Sequence, residues 1–448
     1  YIGPHSDPTR KMRYQLPNHV VYLKEVYLHD VRILPYRKRN PRKKDYETLF
    51  NFYEGLSKKE FSSLNDVLPL FRGEDACFDL DSFFFSKKVW KELVKYYKKF
   101  ASDVSFIDFF WTWRSIHMPL FNILQAEIPP AKIYHSISTG YAGFLGSIAS
   151  SVYESKYFLT EHGIYTHERK LEISQANWIF DTMKRRFRVE RGLPFFKRFW
   201  IHFFSLLSKM TYANVDGIFT LYEGNKQKEI ADGASEDKIR IIPNGLNLER
   251  FTQLKREKKE GLHVGLVGRV VTIKDIKTFI MAAKLILEKH PESQFYIVGP
   301  TDEERDYYLE CRELVESMNL QDKIVFEGRV DVLKFYSFLD VVVLTSLSEA
   351  QPLVILEANL CGIPVVATDV GACREMVEGL EEDDVALGAS GLITEVSNAA
   401  QTAKAVMKLL EDEAFYARAA EAGKERVMKY YNEKDLLSRY LNIYEQNI

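Results

Sequence analysis

Between Asp340 and Glu357 an apolar run of strand type empties into the start of a helix, and this junction restricts the fold more than any other part of the chain. Asp340-Val341-Val342-Val343-Leu344-Thr345 has the length and β-branched content of a buried strand. After Ser348-Glu349-Ala350-Gln351, Pro352 suits a first helical position and Leu353 to Leu360 continues helically. A helix start presents unpaired N–H groups and a partial positive charge, so it attracts anions, phosphate above all, by about 0.3–1 kcal/mol or more where partly buried. Glu349 stands at the rim and Glu357 two turns further in, eight positions on. Taken alone, the segment reads first as a solvated helix with an acidic N-terminal residue. Its surroundings change that reading.

Beyond about 260 the pattern alternates cleanly: strands at 262–268, 294–299, 323–327, 340–345 and 364–367, helices at about 275–290, 303–318, 331–338, 352–361 and 371–378, then three more helical stretches. That alternation predicts a parallel α/β sheet, whose ligands sit beyond the carboxyl ends of the strands. Upstream, β-type runs such as His19-Val20-Val21-Tyr22-Leu23 lie within 17–34, and from about 45 to 126 Phe, Tyr, Leu and Trp recur at helical spacing. This stretch reads as a helical insertion whose aromatic stripe is core. Strands return at 132–136, 157–160, 217–221 and 239–243, with a small-residue helix entry at Ser138 to Gly143. At 448 residues the chain exceeds one core. The expected division is 1–240, 241–430, and a C-terminal helix over 431–448 able to cross back to the first domain. The opening Tyr1-Ile2-Gly3-Pro4 lacks an initiator methionine and enters at a strand end, so a first strand and its Gly-rich turn are expected upstream.

A net charge of −2 gives no case for bulk nucleic-acid binding. Two basic clusters, Arg37 to Lys44 and Lys184 to Arg191, read first as solvated faces. The four cysteines follow no metal or disulfide spacing, which suggests reduced thiols and a cytoplasmic protein, and no apolar stretch reaches the roughly 18–20 residues that span a bilayer. The D-x-D of Asp79-Leu80-Asp81 falls in the helical stretch and reads as a solvated acidic turn.

After the strand at 262, Gly265-Leu266-Val267-Gly268-Arg269 is followed by Lys274. Gly268 permits close backbone approach, Arg269 can grip a pair of phosphate oxygens, and Lys274 adds a point charge at the next helix start. With the helix entry at Ala350, Gln351, Pro352 and Leu353, these residues would make a diphosphate cradle. The loop Glu327-Gly328-Arg329-Val330 could offer backbone groups to a nucleobase edge.

These segments, together with Gly362-Ile363-Pro364-Val365-Val366 and Asp369-Val370-Gly371, resemble the retaining glycosyltransferase family 4 of GT-B fold across the whole second half. The resemblance implies two Rossmann-like doubly wound α/β domains facing a central cleft. It also implies an E-x7-E pair, in which Glu349 contacts the transferred sugar and Glu357 the nucleotide ribose, and a basic pair, Arg269 and Lys274, on the diphosphate. In the first half, Tyr134 to Gly143 and Leu159-Thr160-Glu161-His162-Gly163 through Arg169 are similar to the PelF group of soluble glycosyltransferases of Pel-type exopolysaccharide synthesis. That likeness implies His162 as the cleft histidine near the reacting sugar, a UDP-hexose or UDP-N-acetylhexosamine donor, a growing polysaccharide acceptor, and a membrane-embedded synthase complex as partner.

Cations and helix N–H groups can stabilise a departing diphosphate without a metal, so no metal and no cofactor beyond the donor are expected. The catalytic pair would be His162 and Glu349; Gly268, Arg269, Lys274, Arg329, Val330, Ala350, Gln351, Pro352, Leu353 and Glu357 would hold the donor. A nucleotide-sugar epimerase or a phosphorylase of the same fold, and a non-catalytic nucleotide-sugar-binding scaffold, are the competing readings.

Overall fold

The central strands of the second half are buried on both faces, and their side chains divide by strict alternation. Val264, Leu266, Val341, Val343 and Val366 enter one core with Ile276, Phe279, Ala283 and Val406, whereas Val342, Leu344, Val365 and Ala367 enter the other with Ile355, Leu356, Met376 and Val427. Period-2 side chains between two helical layers are what a doubly wound sheet requires. The structure, a computed structural model, describes all residues except 8–14, 31–36, 59, 62–63, 177–178, 180–192 and 258. The basic cluster at Lys184 to Arg191 lies outside the described residues.

Two compact units result: one of 1–219, 227–240 and 447–448, the other of 220–226 and 241–446. In the first, β1 (Ile2–Gly3) pairs in parallel with β2 (Val26–Tyr27), and β3 (Ile133–Ser136), β4 (Lys156–Glu161), β5 (Gly217–Thr220) and β6 (Ile239–Ile241) form a sheet in chain order. Helices Lys43–Lys58, Lys87–Phe100 and Phe106–Leu124 occupy the aromatic stretch. Its stripe is core: Phe83 packs on Trp113, His117 and Phe121 at ring-centroid distances of 5.6, 5.4 and 4.9 Å.

In the second unit β7 (His263–Val267), β8 (Gln294–Val298), β9 (Ile324–Gly328), β10 (Val341–Leu344), β11 (Val365–Thr368) and β12 (Gly391–Thr394) lie in the order β12-β11-β10-β7-β8-β9. This is the doubly wound order of dinucleotide-binding sheets, and its direction of winding reverses between β7 and β10.

Three local expectations change. His19 to Leu23 is not a strand: β2 begins only at Val26, and Val21 is 95% exposed. The four consecutive apolar residues Val20 to Leu23 lack the alternation that commits a strand to one face. β12 is absent from the expected strands, because four residues carry too little periodicity to announce a strand whose hydrogen bonds come from β11. Pro352 is the N-cap, with extended backbone (φ −76°, ψ 111°), and the helix Leu353–Leu360 starts one residue later.

Candidate functional site: a bonded cluster at the reversal of the second sheet

Because β7 and β10 are neighbours, the loops that leave their carboxyl ends meet, and hydrogen bonds fix them together. Thr345 Oγ1 lies 3.0 and 2.9 Å from the carbonyl oxygens of Lys274 and Asp275 and donates between them, and Leu347 N donates to Ile273 O at 2.8 Å. Thr368 Oγ1, at the end of β11, donates to Ser346 O at 2.7 Å. On this frame Lys274 Nζ donates to Glu349 Oε1 at 2.5 Å and Ser346 Oγ donates to the same oxygen at 2.6 Å. The Lys274 and Glu349 side chains are only 16% and 13% exposed. A pair this desolvated adds little net stability, but removing one partner leaves the other charge stranded.

The backbone behind Glu349 leaves no room for adjustment. Ala372 N donates to Ala350 O at 2.8 Å, and a Cβ on Gly371 would fall 2.2 Å from Glu349 O and 2.5 Å from Ala350 O, at a φ of +56°. Only glycine fits there. Gln351 is buried, and its Oε1 accepts from Asn244 N at 2.6 Å, so its side chain ties the incoming segment at 244 to the helix start. No side chain caps the helix Leu353–Leu360. Ile355 N donates to Pro352 O at 3.1 Å, which leaves the amides of Leu353 and Val354 to a ligand or solvent.

Glu357 lies within that helix, and Tyr336 OH donates to its Oε2 at 2.7 Å. Burial pushes the Glu357 carboxyl above the usual range, against the Tyr336 hydrogen bond and the Arg250 charge. Tyr336 belongs to the site's support yet has no sequence signal, since a tyrosine near the end of a short helix reads as core.

Gly268 N donates to Val298 O at 2.9 Å, and a Cβ on Gly299 would lie 2.0 Å from Gly268 O, so the loops after β7 and β8 touch backbone to backbone. Arg269 is 53% exposed and pairs through Nη1 with Glu303 Oε1 at 2.5 Å. Arg329 and Val330 are exposed beyond β9, with β8 between them and β7.

His162 lies in the first unit, exposed in the turn that follows β4. Its neighbour Glu161 is fully buried: Tyr212 OH donates to Oε2 at 2.5 Å, and Tyr165 N and Thr139 Oγ1 each donate to Oε1 at 3.4 Å. Burial pushes this carboxyl up to about 7, and the three hydrogen bonds only partly offset it. In the sequence Glu161 is merely the residue before His162; its burial is visible only in the fold.

The D-x-D lies at the start of a helix. Asp79 caps the helix Leu80–Phe84 in a capping box with Ser82, accepting from Ser82 N at 2.7 Å. Arg39 of the first basic cluster is also engaged, forking onto Asp45 at 2.6 and 2.9 Å. Among the described residues no group of three or more His, Cys, Asp or Glu is placed to hold a metal ion, no helix is long and apolar enough to cross a membrane, and the four cysteines are unpaired.

A doubly wound sheet whose loops bring a lysine, an arginine and a helix start without a side-chain cap to its reversal has the architecture of the second domain of a GT-B fold, and known proteins share that fold. Residues 249–426 match the family model of glycosyl transferases group 1. Residues 1–237 match the model called domain of unknown function DUF3492, which spans more than half of the chain, and the chain belongs to that family. Sucrose-phosphate synthase of Thermosynechococcus elongatus superposes with a TM-score of 0.54 at 23% identity, covering 70% of this chain and 73% of that one. Anabaena Alr3699/HepE in complex with UDP gives 0.54 at 18%, covering 70% and 79%. These likenesses show the GT-B fold. Among curated sequences, the N-acetyl-alpha-D-glucosaminyl L-malate synthase of Bacillus anthracis is 23% identical over 55% of this chain and 61% of its own length. An N,N'-diacetylbacillosaminyl-diphospho-undecaprenol alpha-1,3-N-acetylgalactosaminyltransferase of Campylobacter jejuni is 26% identical over 54% and 63%. The chain spans less than two thirds of the length of these curated relatives.

Proposed function

We propose that this chain is a retaining, metal-independent glycosyltransferase that moves a hexose or N-acetylhexosamine from a UDP-sugar to a growing exopolysaccharide of Pel type. The observation that carries the reading is the Lys274–Glu349 pair, held by Ser346 and the stitched loops where the sheet reverses. It puts a cation and a carboxylate side by side beside a helix start, where a diphosphate and its sugar would meet. Lys274 and Arg269 would take the charge that develops on the leaving UDP, in a preorganised setting that needs no rearrangement during reaction. Glu349, freed from Lys274 by the phosphate, would orient the sugar hydroxyls. Glu357, braced by Tyr336, would accept from the ribose, and the exposed Arg329 and Val330 would meet the base. The first unit would take the acceptor, with His162 positioning the reacting sugar and the leaving phosphate accepting the acceptor's proton.

The structural neighbour bound to UDP and the relatives named as glycosyltransferases support the donor class. A Staphylococcus aureus relative named for capsular polysaccharide biosynthesis, 23% identical over 72% of this chain, supports a polymeric acceptor. Work at the cytoplasmic face, beside a membrane-embedded synthase complex, follows from that acceptor class. Calorimetric titration of UDP, UDP-glucose, the two UDP-N-acetylhexosamines, ADP-glucose and GDP-mannose, without added metal, tests the reading. Selective UDP-sugar binding is expected. Failure of every nucleotide to bind the folded protein would sink it, and donor conversion without acceptor would replace it with an epimerase.

A further inference from the structure

Two consecutive glutamates in the turn after β8 reach back to the β7 loop, and they grip it differently. Glu303 Oε1 accepts from Arg269 Nη1 at 2.5 Å, and both side chains are about half exposed (50% and 53%). Glu304 Oε2 accepts from Thr272 N at 2.9 Å and from Thr272 Oγ1 at 2.6 Å. Thr272 opens the short turn Thr272–Lys274 that delivers Lys274 to Glu349. Glu303 therefore neutralises one cation of the diphosphate cradle, whereas Glu304 satisfies backbone and hydroxyl groups that set the position of the other.

A phosphate that approaches Arg269 Nη1 must displace the Glu303 carboxylate, and no step of binding requires Glu304 to leave. We propose that Glu303 is a gate that lowers the affinity of Arg269 for the diphosphate, and that Glu304 is a positioning residue for the Lys274 turn. The proposal rests on the UDP-sugar reading of the same site and deepens it. A carboxylate that returns to Arg269 competes with the product UDP, which favours release after each transfer. An exposed ion pair is weak and screened by salt, so the gate should cost the ligand about two- to five-fold in affinity at low salt.

The test is calorimetric titration of the full chain with UDP and, in parallel, with inorganic pyrophosphate, for wild type, E303Q and E304Q. E303Q should bind both ligands about two- to five-fold tighter at low ionic strength, with the gain shrinking near about 0.5 M salt. E304Q, whose amide oxygen can still accept from Thr272, should show no such gain, and a further variant, E304A, which removes that acceptor, should bind them more weakly. Affinity of E303Q equal to or below wild type would overturn the gate, and equal tightening by E303Q and E304Q would show a general charge effect instead. Pyrophosphate needs the cations but neither ribose nor base. If no protein bound UDP while E303Q still tightened pyrophosphate, the UDP reading would fall and the gate would stand.

Discussion

Each unit of this molecule sets a glutamate at the carboxyl end of a central strand, and the two are treated in opposite ways. Glu161 ends β4 and is fully buried, and the hydrogen bonds it accepts come from two hydroxyls and an amide; desolvation wins, and its carboxyl rises to about 7. Glu349 follows β10 and meets Lys274 at 2.5 Å at a partly exposed rim. The same side chain is a buried acid where neutral donors surround it and one half of an ion pair where a cation does. The two units also differ in topology: the second sheet reverses between β7 and β10, while the described four-stranded sheet of the first runs in chain order.

The largest expected effect comes from Glu349→Ala. On the proposed reading, turnover should fall by about a hundredfold or more, while UDP affinity holds or improves because Lys274 is released. Retained turnover in a steady-state transfer assay would erase the functional half of the comparison.

Glu161→Gln tests the structural half through stability. With a carboxyl pKa raised from 4.5 to about 7, the native state binds more protons than the unfolded state across that interval. Wild-type stability therefore declines as pH rises through the window, by about 3 kcal/mol at most, and no further above it. Glutamine abolishes the titration, so the stability of E161Q relative to wild type should climb between pH 4.5 and 7 in denaturant melts. A pH-independent difference would show that Glu161 is not held neutral.

Gly371→Ala adds a Cβ against two carbonyl oxygens at positive φ and should cost about 1–3 kcal/mol, shifting the thermal midpoint down and weakening UDP. Unchanged stability would mean that the loop behind Glu349 yields more readily than its geometry implies. The smallest effect is expected from Tyr336→Phe, which removes the hydroxyl that braces Glu357 and should weaken UDP by about five-fold, against about ten-fold for Glu357→Ala. Equal UDP affinity in Glu357→Ala and wild type would count against a ribose contact.

Where the chain repeats a regular period, its fold is legible from residues alone. β7 through β11 announce themselves because their strands are largely apolar and the longer helices between them, Ile276–Leu287 and Arg305–Ser317, carry a 3.6-residue stripe. β12 does not, since its four residues gain strand character only from the neighbouring Val365 to Thr368. Of the site, Gly268, Lys274, Glu349 and Glu357 could be singled out because they sit at strand ends and a helix start. Glu303, Tyr336 and Asn244 could not. Each acts through a hydrogen bond or ion pair to a residue at least 21 positions away, which no local spacing encodes.

The sequence by itself determined that β7 to β11 become strands of a parallel sheet and which loops leave their carboxyl ends, because alternation and helical period are local properties of side-chain burial. The tertiary structure alone decided that the loops after β7 and β10 are neighbours, that Lys274 meets Glu349, and that Glu161 loses its water. Those outcomes depend on strand order and desolvation, which arise only when distant segments pack.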